Sequence, residues 1–198
     1  MATTIEDGTG QGFSLKIDSE NRALASVKSE TFFEDAVGRG NAFNINTEFL
    51  AVSASIETPL LYFKNNEDKD IVIAAWFIGT GLSGGSETEK ALMRVYPNIT
   101  TGSIVSAGTD ITVVNRKISS AVTFEVDVKK GGDGFWMNPT GSNTPVLYQT
   151  QNAASRVFGN VYLVVPKGGS LGVSYEPNGQ QPINIYTGFQ GFLLANNS

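Results

Sequence analysis

The sequence predicts an all-β fold: an antiparallel β-sandwich over residues 41–198, preceded by an extended N-terminal arm of residues 1–40. Three observations predict it. Val122, Phe124, Val126 and Val128 alternate with Thr123, Glu125, Asp127 and Lys129, the period of two that gives a strand one buried and one wet face. Turn signals recur between the apolar segments, at Asn65–Asp68, Gly81–Ser86, Gly131–Gly134, Gly141–Asn143, Lys167–Gly169 and Pro177–Gly179, and short strands so spaced predict a sandwich or barrel. Finally, only 17% of the 198 residues are charged while 22 are Gly, 17 Thr, 17 Ser and 16 Asn. Surface helices draw on Glu and Lys instead.

Taken in order, residues 1–40 carry four basic and seven acidic side chains and only short apolar islands: Phe13, Leu15 and Ile17, then Leu24 and Val27, then Phe32 and Phe33. No island is long enough for a core, and Gly8, Gly10 and Gly12 loosen the start. Alternating and paired apolar residues are unusual for a purely disordered tail. They fit an arm that adds short strands to a neighbouring surface, and this makes Phe13, Leu15, Ile17, Phe32 and Phe33 the candidate partner-binding residues. Strands are expected near 42–47, 49–56, 59–64, 90–96, 111–115 and 157–165. Ile71–Ile78 is apolar without alternation, the pattern of a central strand covered on both sides. Leu171, Val173 and Tyr175 alternate with Gly172, Ser174 and Glu176, and Ile183, Ile185, Thr187, Phe189, Gly191 and Leu193 are expected to share one face of a long last strand. Helix signals are weak; Glu87–Val95, with Ser86 and Glu89 spaced as a capping box, is the one segment that reads as a turn or two of helix or equally as a strand.

Composition excludes several chemistries. The chain has no His and no Cys, so thiol nucleophiles, Cys/His zinc sites, disulfides and a Ser-His-Asp triad are ruled out. Gly81-Leu82-Ser83-Gly84-Gly85 matches GxSxG but has no histidine to serve as base. Gly79–Gly84 matches GxGxxG and follows a strand, yet no acidic residue stands between Lys90 and Thr109 to take a ribose. Its plain reading is an interstrand loop. Glu125 and Asp127 are expected on the wet face of one strand, where a carboxylate pair for glycoside chemistry is weighed against a solvated surface. Glu67, Asp68 and Asp70 read as a charged turn; a calcium loop would alternate its oxygen ligands and usually include a glycine. Net charge −5 argues against nucleic acid. The opening MATTIEDGTG has no basic-then-apolar leader, and no apolar run approaches the ~20 residues of a membrane helix. A soluble protein with no cofactor, no metal and no catalytic residues is expected. Phe135 and Trp136, between glycines, form a loop that would either contact a partner or a sugar ring, or plug an end of the sandwich. Asn98-Ile99-Thr100 and Asn196-Asn197-Ser198 match the glycosylation pattern, which has no use without export.

The opening Ile5-Glu6-Asp7-Gly8-Thr9-Gly10, followed by Leu15–Leu24, resembles the start of small virion structural proteins of tailed bacteriophages, in which such a start leads into a β-rich body. Pro59–Asn66 followed by Asp70–Ile78 is similar to a strand–turn–strand element of that body, and Pro166–Val173 to its penultimate strand. The resemblance implies a non-enzymatic protein present in many copies on the particle and assembled in the bacterial host cytoplasm. Its members include head decoration (cement) proteins, often trimers with jelly-roll or related bodies, and fibre, spike or baseplate components. No heptad or repetitive stalk is present. The expectation is therefore a jelly-roll-like, homotrimeric decoration protein that binds the major capsid protein across capsomer boundaries through its arm. The alternative is a tail, vertex-fibre or baseplate component that binds a host receptor or glycan.

Overall fold

The computed structural model describes residues 16–17, 23–24, 31–53, 56–81, 90–97, 108–131, 147–152, 156–177 and 183–194. The chain divides into two compact units, Met1–Thr31 and Phe32–Ser198. In the first, β1 (Lys16–Ile17) and β2 (Ala23–Leu24) pair antiparallel. The second begins with α1 (Phe32–Arg39), followed by β3 (Ala42–Asn46), β4 (Leu50–Val52), β5 (Thr58–Asn65), β6 (Ile71–Gly81), β7 (Lys90–Pro97), β8 (Thr109–Asp110), β9 (Val114–Asn115), β10 (Val126–Lys130), β11 (Leu147–Asn152), β12 (Arg156–Val165), β13 (Ser170–Pro177) and β14 (Ile183–Leu193).

These strands form two antiparallel six-stranded sheets. The first runs β11-β7-β13-β5-β10-β8; the second runs β12-β6-β14-β3-β9, with β4 also paired to β14. One core joins them, filled by Leu61, Phe63, Val95, Leu171 and Val173 from the first sheet and Phe43, Ile45, Trp76, Ile78 and Phe189 from the second. The predicted all-β sandwich is what the strands build. The pairing is nested: β3 pairs with β14, β5 with β13, β6 with β12 and β7 with β11. Strands far apart in sequence therefore lie side by side, which makes most contacts non-local and slow to form.

The non-alternating run of β6 has two causes. Against β14, Gln190 faces Ala75 and Gly191 faces Ile73, so Ala74 is an extra residue, a bulge that reverses which parity points inward. Ile71 and Ile73 before it, and Trp76 and Ile78 after it, consequently all enter the main core. Val72 and Ala74, on the outer side, are covered by α1 through Ala36, with Ala42 and Phe192 completing a second small cluster. β13 and β14 keep the predicted alternation: Leu171, Val173 and Tyr175, and Ile185 and Phe189, all lie in the core.

Four expectations are corrected. The alternating run from Val122 becomes strand only at Val126, because its partner β5 ends at Asn65, opposite Val126. Beyond that point Glu125 is held by the turn after β5, its carbonyl accepting from Asn66 N and its N–H donating to Glu67 Oε1. Phe124 turns inward onto Phe43, 4.8 Å between ring centroids. The 111–115 segment is not one strand: Thr109–Asp110 pairs with β10 in the first sheet and Val114–Asn115 with β3 in the second. Ile111 and Val113 cross between them and pack on the core at its open side. The 49–56 strand shortens to Leu50–Val52. The Gly79–Gly84 stretch starts inside β6, which runs to Gly81.

The helix lies where no helix is predicted. α1 carries Glu34 and Asp35 in its first turn and Arg39 in its last, complementing the helix dipole. Arg39 Nε reaches Asp35 Oδ1 at 2.9 Å. Gly40 then takes φ +80, and Asn41 N to Ala36 O with Gly40 N to Val37 O completes a Schellman stop. The element at 87–95 resolves in favour of a strand from Lys90 onward; Ser86 to Glu89 lie outside the described residues.

Candidate functional site

Of the predicted partner-binding residues, Phe13 and Leu15 lie outside the described residues, as do Phe135 and Trp136 of the glycine-flanked loop. Ile17 falls in β1, opposite Ala23. Phe32 and Phe33 belong to α1, in the second unit. Phe32 is 84% exposed. Phe33 packs edge-on against Phe192 at 5.9 Å, with the Arg116 guanidinium 5.3 Å from its ring centroid. The structure therefore gives these two neighbours different surroundings: Phe33 leans on the chain's own sheet, and Phe32 faces solvent.

The two outer faces of the sandwich differ in chemistry. On the first sheet, register places Lys64, Asp127, Lys129, Arg94 and Glu176 on the outward positions, interleaved with Tyr62, Tyr96 and Ser174. They are tied to one another. Tyr96 Oη donates to Glu57 Oε1 at 2.6 Å, and Ser174 Oγ donates to the same oxygen. Arg94 bridges Glu57 Oε2 at 3.2 Å and Glu176 Oε2 at 2.7 Å. Asp110 and Asp127 flank Lys129, and the hydrogen bond to Asp110 pushes the lysine above its ordinary range. Both oxygens of Glu57 are thus engaged, and the cluster works as a clamp across β7, β13 and the segment entering β5. Its carboxylates are used to hold strands together.

Burial pushes Tyr62 up to about 12, with Asp127 adding to the effect. Burial and the hydrogen bond to Glu57 do the same for Tyr96. Tyr62 is 1% exposed, and its hydroxyl has no hydrogen-bond partner among the described residues. A phenol whose folded value of about 12 exceeds its unfolded value of 10.0 favours the folded state below pH 10. The unfolded chain releases that proton first, so the stability is lost as pH rises from about 10 to about 12. Tyr62→Phe is therefore expected to stabilise the fold by about 1 kcal/mol at neutral pH, by removing a buried unpaired hydroxyl, and to flatten the fall above pH 10. Urea midpoints from pH 8 to 12 check both. A variant less stable than wild type at pH 7 would show that the hydroxyl is satisfied after all.

The acidic residues singled out in the sequence are hydrogen-bond acceptors for turns. Glu67 Oε1 takes Glu125 N at 2.7 Å, and Asp70 Oδ1 takes Lys167 N at 3.1 Å. Glu125 precedes β10 and Asp127 lies within it, so they do not share a strand face. Among the described residues, no group of three His, Cys, Asp or Glu side chains is placed to hold a metal.

The outer face of the second sheet is different. The outward positions of β3, β6 and β14 hold Ala42, Asn44, Asn46, Val72, Ala74, Ala75, Phe77, Tyr186, Gln190 and Phe192, none of them charged. Two glycines here are required by close approach. A Cβ on Gly79 would sit 2.3 Å from the Tyr186 ring, and one on Gly188 would sit 2.4 Å from Phe77 and 2.0 Å from Ile45 O. Each aromatic ring thus lies across the glycine opposite it, in reciprocal directions between β6 and β14. Phe49, between β3 and β4, packs edge-on against Tyr186 at 5.1 Å and stays 63% exposed. No sequence pattern marks this patch, because its members come from three separate segments. The nearest signal is the aromatic and glycine content of β14. No family model and no curated protein matches the chain.

Proposed function

We propose that this chain is a structural protein of a tailed-phage virion: a head decoration protein whose jelly-roll body, as a homotrimer with an extended N-terminal arm, binds the major capsid protein across capsomer boundaries. The observation that carries the reading is the nested pairing of strands. β3-β14-β6-β12 packs against β5-β13-β7-β11, the order produced when a long four-rung hairpin is rolled into two facing sheets. That order supports a jelly roll, an architecture that recurs in viral capsid and lectin domains. The opening and turn segments that resemble virion proteins point this architecture to a role on the particle. Its mechanism is mechanical: extra contacts across capsomer joints resist internal DNA pressure, and several weak arm contacts act together when copies are linked.

Copy number per virion tests the reading, measured by densitometry of purified particles against the major capsid protein. A band comparable to the capsid protein is expected, together with cleavage of residues 1–31 by protease in the free protein and protection on the particle. A band many-fold weaker would move the chain to a vertex or tail and favour receptor or glycan binding.

A further inference from the structure

We propose that the corner where α1 meets the loop of residues 116–125, which joins β9 to β10, docks through Ile118 on an acidic protein surface of the particle. The inference rests on the capsid-binding role in the proposed function and names a contact on the body of the chain, apart from the arm.

Nine large hydrophobic side chains are exposed among the described residues, and four of them belong to α1 and the segment bonded to it: Phe32, Val114, Ile118 and Val122. Single exposed apolar residues are ordinary, whereas several on adjoining segments mark an interaction surface. Ile118 is the most exposed of the nine, at 93%, and its loop holds it there. Asn115 Oδ1 accepts Lys117 N at 2.8 Å. Asn115 Nδ2 donates to Val122 O at 3.1 Å, closing the loop, and to Gly40 O at 2.8 Å, tying it to the end of α1. Ser120 N donates to Lys117 O at 3.0 Å across a tight turn. In that turn Ser119 takes φ 64, a left-handed conformation that costs free energy for a residue with a side chain. Ile118 thus stands at the tip of a turn fixed from both sides, and docking it orders little that is not already ordered.

Charge decides the kind of partner. From Ile111 to Phe124 the chain has two basic and no acidic side chains, in a protein of net −5. Both cations, Arg116 and Lys117, directly precede Ile118 and spend their hydrogen bonds on neutral acceptors. Arg116 Nη1 donates to Asn44 Oδ1 at 3.0 Å, and Lys117 Nζ to Gly38 O at 2.8 Å. Neither meets a carboxylate among the described residues. On α1, Asp35 is paired with Arg39, which leaves Glu34 as the remaining acid of the corner. Cations beside an apolar tip complement carboxylates around an apolar recess, and Arg among exposed apolar side chains is the composition of a protein interface. The same charges disfavour other occupants. A net charge of −5 opposes both nucleic acid and the anionic lipid surface to which two cations and an apolar tip would otherwise bind.

Binding of the full chain to purified particles stripped of it tests the inference, read by co-sedimentation. Wild type is compared with Ile118→Asp, Ile118→Lys and, on the outer face of the first sheet, Lys64→Glu. Ile118→Asp is expected to weaken binding at least ~30-fold, the effect of losing a hot-spot side chain and of adding a charge like the partner's. Ile118→Lys loses the same apolar contact but keeps the favourable sign, so its expected loss is smaller. Lys64→Glu is expected to leave binding unchanged. Ile118 lies outside the core, and melting curves that match wild type show that its variants fold. Ile118→Asp binding as tightly as wild type overturns the inference, and Ile118→Lys binding more weakly than Ile118→Asp overturns the assignment to an acidic surface. Two other results give the loop to a different occupant and also overturn it. One is capture of wild type but not Ile118→Asp by phosphatidylserine-containing vesicles; the other is self-association that Ile118→Asp removes. The failures are distinguishable. Wild type that binds particles with Ile118→Asp unimpaired sinks only this contact, and wild type that does not bind them sinks the virion role and this contact with it.

Discussion

Trp76→Ala is expected to lower folding stability by about 3–5 kcal/mol, the range for removing a large buried aromatic from a core that cannot collapse around the gap. Trp76 is fully buried, with its ring 5.1 Å from Phe189 at the meeting point of the two sheets. It is also a polar anchor. Its Nε1–H donates to Thr187 Oγ1 at 2.8 Å, and that hydroxyl donates to Phe77 O at 3.0 Å. Thr187 N in turn donates to Thr47 Oγ1 at 2.9 Å. The alanine variant therefore loses packing and leaves Thr187 short of a donor in a dry site. Trp76→Phe separates the two effects: it keeps most of the apolar volume and gives up the hydrogen bond, for about 1–2 kcal/mol. Domains of this kind are stable by roughly 5–15 kcal/mol in total, so the alanine variant sits near the limit of folding. Denaturant titration followed by circular dichroism, which does not depend on the lost indole, measures both. A cost below about 1 kcal/mol for Trp76→Ala would show that the core repacks and that the indole is not its keystone.

Asn65→Leu is expected to cost about 3 kcal/mol although it preserves side-chain size. Asn65 is fully buried at the end of β5, where the chain crosses from one sheet to the other through residues 66–70, beside the second crossing at 166–169. Its Nδ2 donates to Lys69 O at 2.8 Å and Val165 O at 3.0 Å, and its Oδ1 accepts Glu67 N at 2.9 Å. Its main chain adds Asn65 N to Gly169 O and Gly168 N to Asn65 O, both 2.9 Å. One side chain thus ties two sheet-crossing turns into a single corner. Leucine would leave three backbone groups without partners, each worth about 1–3 kcal/mol if it stays dry, and water entering from the exposed turn relieves part of the loss. A fall in melting temperature of about 6–12 °C corresponds to that cost in a domain of this size. Hydrogen exchange should speed up at Glu67, Gly168 and Gly169 before the rest of the sheet. Uniform acceleration would mean that the corner is not a local clamp.

Which residues of a strand face the core is legible in the sequence. The alternation in β13 and β14 and the apolar length of β6 are local properties, because a strand's inward residues recur every second position whatever lies opposite. α1 goes unpredicted although its signals are present. Thr31 and Glu34 have capping-box spacing, Asp35 and Arg39 stand four apart, and Gly40 ends the helix in a left-handed turn. The paired phenylalanines read as partner-binding residues instead, and the surface that buries Phe33 is supplied by Phe192, at the far end of the chain.

Positions whose meaning depends on a distant partner are not legible. The bulge at Ala74 is invisible in β6 alone, since it exists only against Gln190 and Gly191 of β14. The end of strand character before Val126 is set by where β5 stops, so a perfect alternation from Val122 cannot reveal it. Phe49 reads as one more aromatic until a left-handed Glu48 and the ring of Tyr186 place it on the surface. Fold class, the sheet faces of the long strands and the exclusion of histidine and cysteine chemistry all follow from composition and period, which act within a few residues. The nested strand order, the Asn65 corner and the ion-paired outer face of the first sheet come into being only when the chain folds. Each of these is a relation between segments far apart in the chain, and pairing and packing are what bring them together.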